Sequence, residues 1–313
     1  MAEWRVIHAS ATGTSHVGRN EGCQDRYSFQ LLEADGDEFL IVAVSDGAGS
    51  SSFSDVGAET IVNGFVDAVA QHFEIGEKFG SLDANFGRLW IAYCREQLQA
   101  LANLKNVAVR EFAGTFLGAI IGRERSLFYQ LGDGAIVCSP SGDKDSYYFA
   151  VNPPEQAYVN TTFFVTDQNA EENLLFEPVD EHIGDLVMFT DGIQSLAIDF
   201  RSSLPFEPFL IQMLDPLHRT DFEAEPLIRT LKSFLESDRV CERTDDDKTV
   251  VLASRLRRYA PEVTEKPLQP IIRLDRLLTV GEMRPRLISE GGSATVRDDL
   301  KTTSAATGSW LDV

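Results

Sequence analysis

The chain has 313 residues, 43% hydrophobic and 25% charged, with a formal net charge of −21. That length allows a large core in one or two domains, and the composition is that of an ordinary globular protein. An acidic body excludes nucleic-acid binding that rests on basic phosphate contacts, and no apolar run reaches the roughly 20 residues a membrane span needs.

Met1-Ala2-Glu3-Trp4-Arg5 has no basic stretch followed by an apolar one, so no signal peptide is expected. Cys23, Cys94, Cys138 and Cys241 are scattered, without the close pairs of a zinc or redox motif. Together these features point to a reducing cytoplasm.

Trp4 to Thr12 alternates as a strand, Arg26 to Leu32 follows as a β-prone run, and Phe39 to Val44 (FLIVAV) reads as a strand buried on both faces. Ser54-Asp55 offers an N-cap to a helix from Val56 to about Phe73, and a second helical pattern runs from about Leu82 to Leu104. Strands return at Thr115 to Ile121, Leu127 to Leu131, Ala135 to Cys138 and Tyr147 to Val151, and continue at Phe163 to Thr166 and Leu186 to Thr190. Two helices, about Phe206 to Leu214 and Phe222 to Leu235, precede a last strand at Thr249 to Ala253. Strand blocks separated by paired helices predict an α+β sandwich, sheets inside and helices outside.

After about Tyr259 the character changes. Pro261, Pro267, Pro270, Pro285, Gly291-Gly292 and a Ser/Thr/Ala-rich end predict an extended tail over 260–313, separate from a body of residues 1–259. Pro270 to Val280 (PIIRLDRLLTV) is its apolar segment, suited to docking on the domain or on a partner. From Pro261 on, seven Lys/Arg meet eight Asp/Glu, so nearly all the net charge lies in the body.

Within that body, apolar β runs repeatedly end at an aspartate. FLIVAVS meets Asp46-Gly47, LFYQLG meets Asp133-Gly134 and DLVMFT meets Asp191-Gly192. Asp245-Asp246-Asp247 precedes the last strand, and Cys23-Gln24-Asp25 precedes the second. One Asp-Gly is most simply a turn, since Asp caps local N–H groups and Gly accepts positive φ. Repetition at strand tips predicts a cluster whose mutual repulsion, a few kcal/mol per close pair, a hard divalent cation would remove. Oxygen ligands without paired cysteines favour Mg²⁺ or Mn²⁺ over zinc. Two such ions can activate a water for attack on phosphorus. No Cys-x5-Arg loop, Gly-x-Ser-x-Gly elbow or Walker loop competes with that reading.

At this point the sequence resembles the metal-dependent protein phosphatases of type 2C, and a bacterial branch of them. The motifs run in order: GTSHVGRNEGCQD (Gly13 to Asp25), VAVSDGAGSSSFSDVGAE (Val42 to Glu59), GTFLGAII (Gly114 to Ile121), YQLGDGAIV (Tyr129 to Val137), DLVMFTDGI (Asp185 to Ile193) and DDKTVVLA (Asp246 to Ala253). The resemblance implies a β-sandwich of two mainly antiparallel sheets flanked by helix pairs. It implies a cytoplasmic serine/threonine phosphatase with two Mn²⁺ or Mg²⁺ ions and a third near Asp133. Asp46 would bridge both ions, the Gly47 carbonyl would serve one, and Asp191 and Asp246 would complete the other. Asp25 would hold the cluster from behind or through a water, and Asp25 with Asp46 would form the catalytic pair. The implied partner is a phosphoprotein, a bacterial Ser/Thr kinase or its targets.

Departures from the family pattern concern substrate recognition. Gln24 stands where eukaryotic members have Glu, Asn20 stands at the position of a phosphate-binding Arg with Arg19 as neighbouring substitute, and Asp46-Gly47-Ala48-Gly49-Ser50 carries no histidine as general acid. His16 is expected to brace its loop by a hydrogen bond. Two alternatives stay open, a scaffold or sensor that keeps the fold with little activity and a hydrolase of small phosphate esters.

Overall fold

Alternation within single strands builds two apolar layers around one sheet. In the computed structural model, residues 4–140, 146–151 and 162–256 are described. The first sheet has the order β1 (Trp4–Ala11), β12 (Lys248–Arg255), β9 (Ile183–Phe189), β6 (Ala135–Pro140) and β7 (Tyr148–Phe149). The second has the order β2 (Arg26–Ala34), β3 (Asp37–Ser45), β4 (Phe116–Ile121), β5 (Ser126–Leu131) and β8 (Leu175–Val179). Every pairing in both sheets is antiparallel. A two-residue pair, β10 (Ile198–Asp199) with β11 (Leu204–Pro205), stands apart.

β3 shows why this sequence needs two layers. Phe39, Ile41 and Ala43 belong to a cluster with Ile61, Phe65 and Trp90 from α2 (Ser54–Glu74) and α3 (Ala84–Lys105). Leu40, Val42 and Val44 alternate with them and pack with Ile136, Leu186, Met188 and Val251 of the first sheet. Period-2 alternation thus sends apolar side chains to both faces, and the strand is buried from Phe39 to Ser45. α3 starts at Asp83, whose carboxylate accepts from Asn85 N and Phe86 N at 2.9 Å, and closes on Asn106 in the left-handed region. On the far side, α7 (Ala224–Leu235) packs on β1 and α6 (Glu207–His218) on β12. The α+β sandwich expected from the sequence is the observed architecture.

Local expectations changed in three places, and one strand, β8, was not among the expected strands. Phe163 to Thr166 is a turn, because Asp167 takes the Phe164 N–H on its side chain at 2.8 Å and Val165 N donates to Gly114 O at 2.9 Å. Of Tyr147 to Val151, only Tyr148 and Phe149 pair as a strand. β8 carries Pro178 and survives as a strand because it lies at a sheet edge. Ser54 and Asp55 do not cap α2. The cap residue is Phe53 without a side-chain bond, while Ser54 Oγ donates back to Ser51 O and Asp55 pairs with Arg26 at 3.4 Å.

The described residues fall in one unit spanning Met1–Arg258. The tail expected over 260–313, with its Pro270 to Val280 segment, lies outside the described residues. Among the described residues no helix is long and apolar enough to cross a membrane.

Candidate metal centre

Strand tips from both sheets supply the carboxylates. Asp46 follows β3, Asp133 lies in the turn between β5 and β6, and Asp191 follows β9. One carboxylate oxygen of each falls within 4.8 Å of the others, Asp46 and Asp191 partly buried and Asp133 exposed. Asp25 precedes β2, and Asp246 precedes β12 on the same side, near enough for its charge to act on Asp46 and Asp191.

Backbone and hydroxyl bonds fix these tips. Asp46 N donates to Thr115 Oγ1 at 3.0 Å, Thr115 N donates to Asp46 O at 2.8 Å, and Ser45 Oγ donates to Thr115 O at 2.6 Å. Gly47 pairs with Gly114 in an isolated bridge, so its peptide is held beside Asp46. Asp25 is 1% exposed; its Oδ2 accepts from Thr190 Oγ1 at 2.8 Å, and Thr190 Oγ1 in turn accepts from Thr249 N at 3.0 Å. Asp25 Oδ1 is buried with no partner. Asp133 Oδ2 accepts from Thr162 Oγ1 at 2.7 Å. Lys248, wholly buried, donates Nζ to the Asp246 carbonyl at 3.1 Å and steadies that loop.

Asp247, which sequence reasoning passed over beside Asp246, is 2% exposed and ties the site together. Its Oδ1 accepts from Gly13 N at 2.6 Å and lies 2.9 Å from His16 Nδ1, and its Oδ2 accepts from Gln24 N at 2.5 Å. The loop before Asp25 is thereby clamped to the loop that carries Asp246. His16 Nδ1 stands at ion-pair distance from this clamp, but the hydrogen bond expected of it as a brace is not formed. The run of three aspartates was the available signal, but only burial separates a clamp from a ligand within it. Arg19 is half exposed and pairs with Glu21 at 2.8 Å, and it is not drawn into the carboxylate cluster.

These loops meet backbone to backbone. A Cβ on Gly192 would stand 1.9 Å from Asp247 O. Gly192→Ala is therefore expected to push the Asp191 and Asp247 loops apart and to cost about 2–3 kcal/mol of stability, read by urea unfolding.

The charges have no cationic partner. None of Asp25, Asp46, Asp133, Asp191 and Asp246 forms an ion pair among the described residues. Burial pushes the Asp25 carboxyl up to about 8, with Asp247 and Asp191 adding to it and the Thr190 bond opposing it. Burial likewise raises Asp191 to about 7, followed by the charges of Asp133 and Asp246. Asp46 is raised well above the usual carboxylate range by burial and then by Asp25, Asp191, Asp246 and Asp133. Two carboxylates 4.8 Å apart repel by about 3 kcal/mol at an effective dielectric of 20. An all-oxygen cluster with an orphaned buried carboxylate oxygen fits hard divalent cations.

Comparison with known proteins agrees with this architecture. Residues 12–236 match the family model described as protein phosphatase 2C. Serine/threonine-protein phosphatase 3 of Escherichia coli (strain K12) is 36% identical over 252 residues, which cover 80% of this chain and 98% of that protein. The solved structure of a bacterial serine phosphatase superposes with a TM-score of 0.53 at 14% identity, covering 80% of this chain and 97% of the other. PppA, a regulatory component of the T6SS in Pseudomonas aeruginosa, superposes with a TM-score of 0.52 at 19% identity, covering 81% and 98%. The two structural likenesses bear on the fold alone, while the family match spans most of the body: this chain belongs to the protein phosphatase 2C family.

Proposed function

We propose that the chain is a serine/threonine protein phosphatase that hydrolyses phosphoserine and phosphothreonine in phosphoproteins, with water as nucleophile. One observation carries the reading: carboxylates from the tips of both sheets converge, among the described residues without a cationic partner, in a chain of a metal-dependent phosphatase family. The 36% identity to a serine/threonine phosphatase supports the substrate class.

In this reading Asp46, Asp191 and Asp246, with the Gly47 carbonyl, would hold Mn²⁺ or Mg²⁺. Asp25, with its unpartnered Oδ1 on the Thr190–Thr249 side, would support the cluster from behind, and Asp133 would hold a further ion. Bound there, divalent cations supply Lewis acidity and a water acidified for attack. The chain's own task is to keep five carboxylates at fixed distances, which the Thr115, Thr190 and Asp247 bonds do. Arg19 reaches a phosphate only by leaving Glu21. The catalytic body would be residues 1–259, acting in the cytoplasm on a bacterial Ser/Thr kinase or its targets.

The test is release of phosphate from a phosphothreonine peptide with and without Mn²⁺. Turnover that needs Mn²⁺ is expected. A chain inactive with Mn²⁺ sinks the enzymatic reading in favour of a scaffold, and turnover of small esters with no preference for phosphopeptides would favour the small-ester hydrolase instead.

A further inference from the structure

A serine or threonine alkoxide is a strong base and leaves phosphorus readily only when it receives a proton. The Asp46-to-Ser50 turn offers no imidazole for this: Gly47, Ala48 and Gly49 carry no donor, and Ser50 only an alcohol no more acidic than the leaving group. The structure brings a donor to that turn from another element. His16 sits in α1 (Thr14–Gly18), a short helix ahead of the second strand, and is 3% exposed. Its Nδ1 lies 2.9 Å from Asp247 Oδ1. The opposite edge of the ring meets the turn: a Cβ on Gly49 would stand 3.3 Å from His16 Nε2 and 3.9 Å from Cε1. Among the described residues Nε2 has no hydrogen-bond partner, and it is not one of the buried unpartnered atoms. One nitrogen faces a carboxylate at ion-pair distance, although it makes no aligned hydrogen bond there, and the other is left free beside the Asp46 turn. That is the arrangement of a carboxylate-oriented general acid.

We propose that His16 Nε2 protonates the leaving serine or threonine oxygen, with Asp247 as its positioning residue and Gly49 keeping the Nε2 edge clear. The proposal rests on the phosphatase reading above. In the step, the attacking water oxygen forms the new P–O bond while the ester P–O bond breaks. The electron pair of the broken bond goes to the leaving oxygen, which takes the proton from Nε2 and departs as the alcohol. The proton shed by the attacking water passes to solvent, and the imidazole, held against the Asp247 carboxylate, regains one from solvent.

A proton donor and a mere brace differ in how their loss depends on the leaving group. p-Nitrophenolate departs as a weakly basic anion, whereas a threonine alkoxide needs the proton. His16→Asn keeps a donor that can face Asp247 but cannot deliver a proton. It is expected to lower kcat on a phosphothreonine peptide by about 10²-fold, with a loss on p-nitrophenyl phosphate at least about tenfold smaller. Mn²⁺ affinity, measured by calorimetry, is expected to change by less than about threefold. Gly49→Ala presses on Nε2 without removing the imidazole and should show the same leaving-group bias at smaller amplitude, which decides the matter if His16→Asn does not fold. Equal losses on both esters, or losses that follow weakened Mn²⁺ binding, overturn the proposal and leave His16 as a brace. If the wild-type chain turns over neither ester with Mn²⁺, the parent reading falls and this one falls with it.

Discussion

Asp46→Asn and Asp191→Asn should each lower Mn²⁺-dependent turnover of a phosphothreonine peptide by at least about 10³-fold, while the metal-free proteins become harder to unfold at pH 8. The two effects have one cause. Asp46 feels the charges of Asp25, Asp191, Asp246 and Asp133, and Asp191 those of Asp133, Asp246 and Asp247, with no ion-paired cation among the described residues to offset them. An amide of the same shape removes one charge and several repulsions at about 3 kcal/mol per close pair before solvent screening. The same amide is a poor ligand for Mg²⁺ or Mn²⁺, which favour carboxylate oxygen. Urea midpoints at pH 8 without metal, beside phosphate release with Mn²⁺, check both halves. A variant that loses activity and stability together would show that the aspartate supports the fold instead of straining it.

The second large effect is the pH dependence of metal-free stability. Asp25 titrates near 8 and Asp191 near 7 in the folded protein, against about 4 for an unfolded carboxyl. Between those values the folded state holds more protons than the unfolded state, so stability falls as pH rises. The contribution is present in full below pH ~4 and is lost as pH passes through 7 to 8. Metal-free protein is expected to lose several kcal/mol between pH 5 and 8, read from urea unfolding in chelator. Saturating Mn²⁺ should reverse the slope, since the ion binds the ionised carboxylates of the folded state only. A flat profile in chelator would mean that the carboxylates are already neutralised within the protein.

Much of this was legible in the chain because it is written in local patterns. FLIVAV has no polar position, and a strand with none must be covered on both faces, which placed β3 at the centre of a layered fold. Asp-Gly at successive strand tips marked the carboxylate cluster, because the tips that carry Asp46, Asp133 and Asp191 meet in the structure. What escaped the sequence depended on distant partners. Asp246 and Asp247 are neighbours of the same type, and only the Gly13, Gln24 and His16 contacts make the second a clamp. Phe163 to Thr166 has strand composition but turns because Asp167 captures its backbone. The Ser54 cap failed because its hydroxyl was already committed to Ser51. Pro178 weakened the β8 pattern, and only its place at a sheet edge makes the strand tolerable.

β3 is packed by the helices through one set of side chains and by the opposite sheet through the other. Asp46, at its end, therefore cannot back away from its neighbours by a local rearrangement, because moving that tip disturbs both apolar layers at once. The repulsion cannot relax by movement, and the metal-free chain relieves it by holding protons on the raised carboxyls. An arriving cation takes their place, and its apparent affinity includes the release of those protons. The stiffness of the central strand thus sets how hungrily the protein takes up its ions, well away from any atom that touches them.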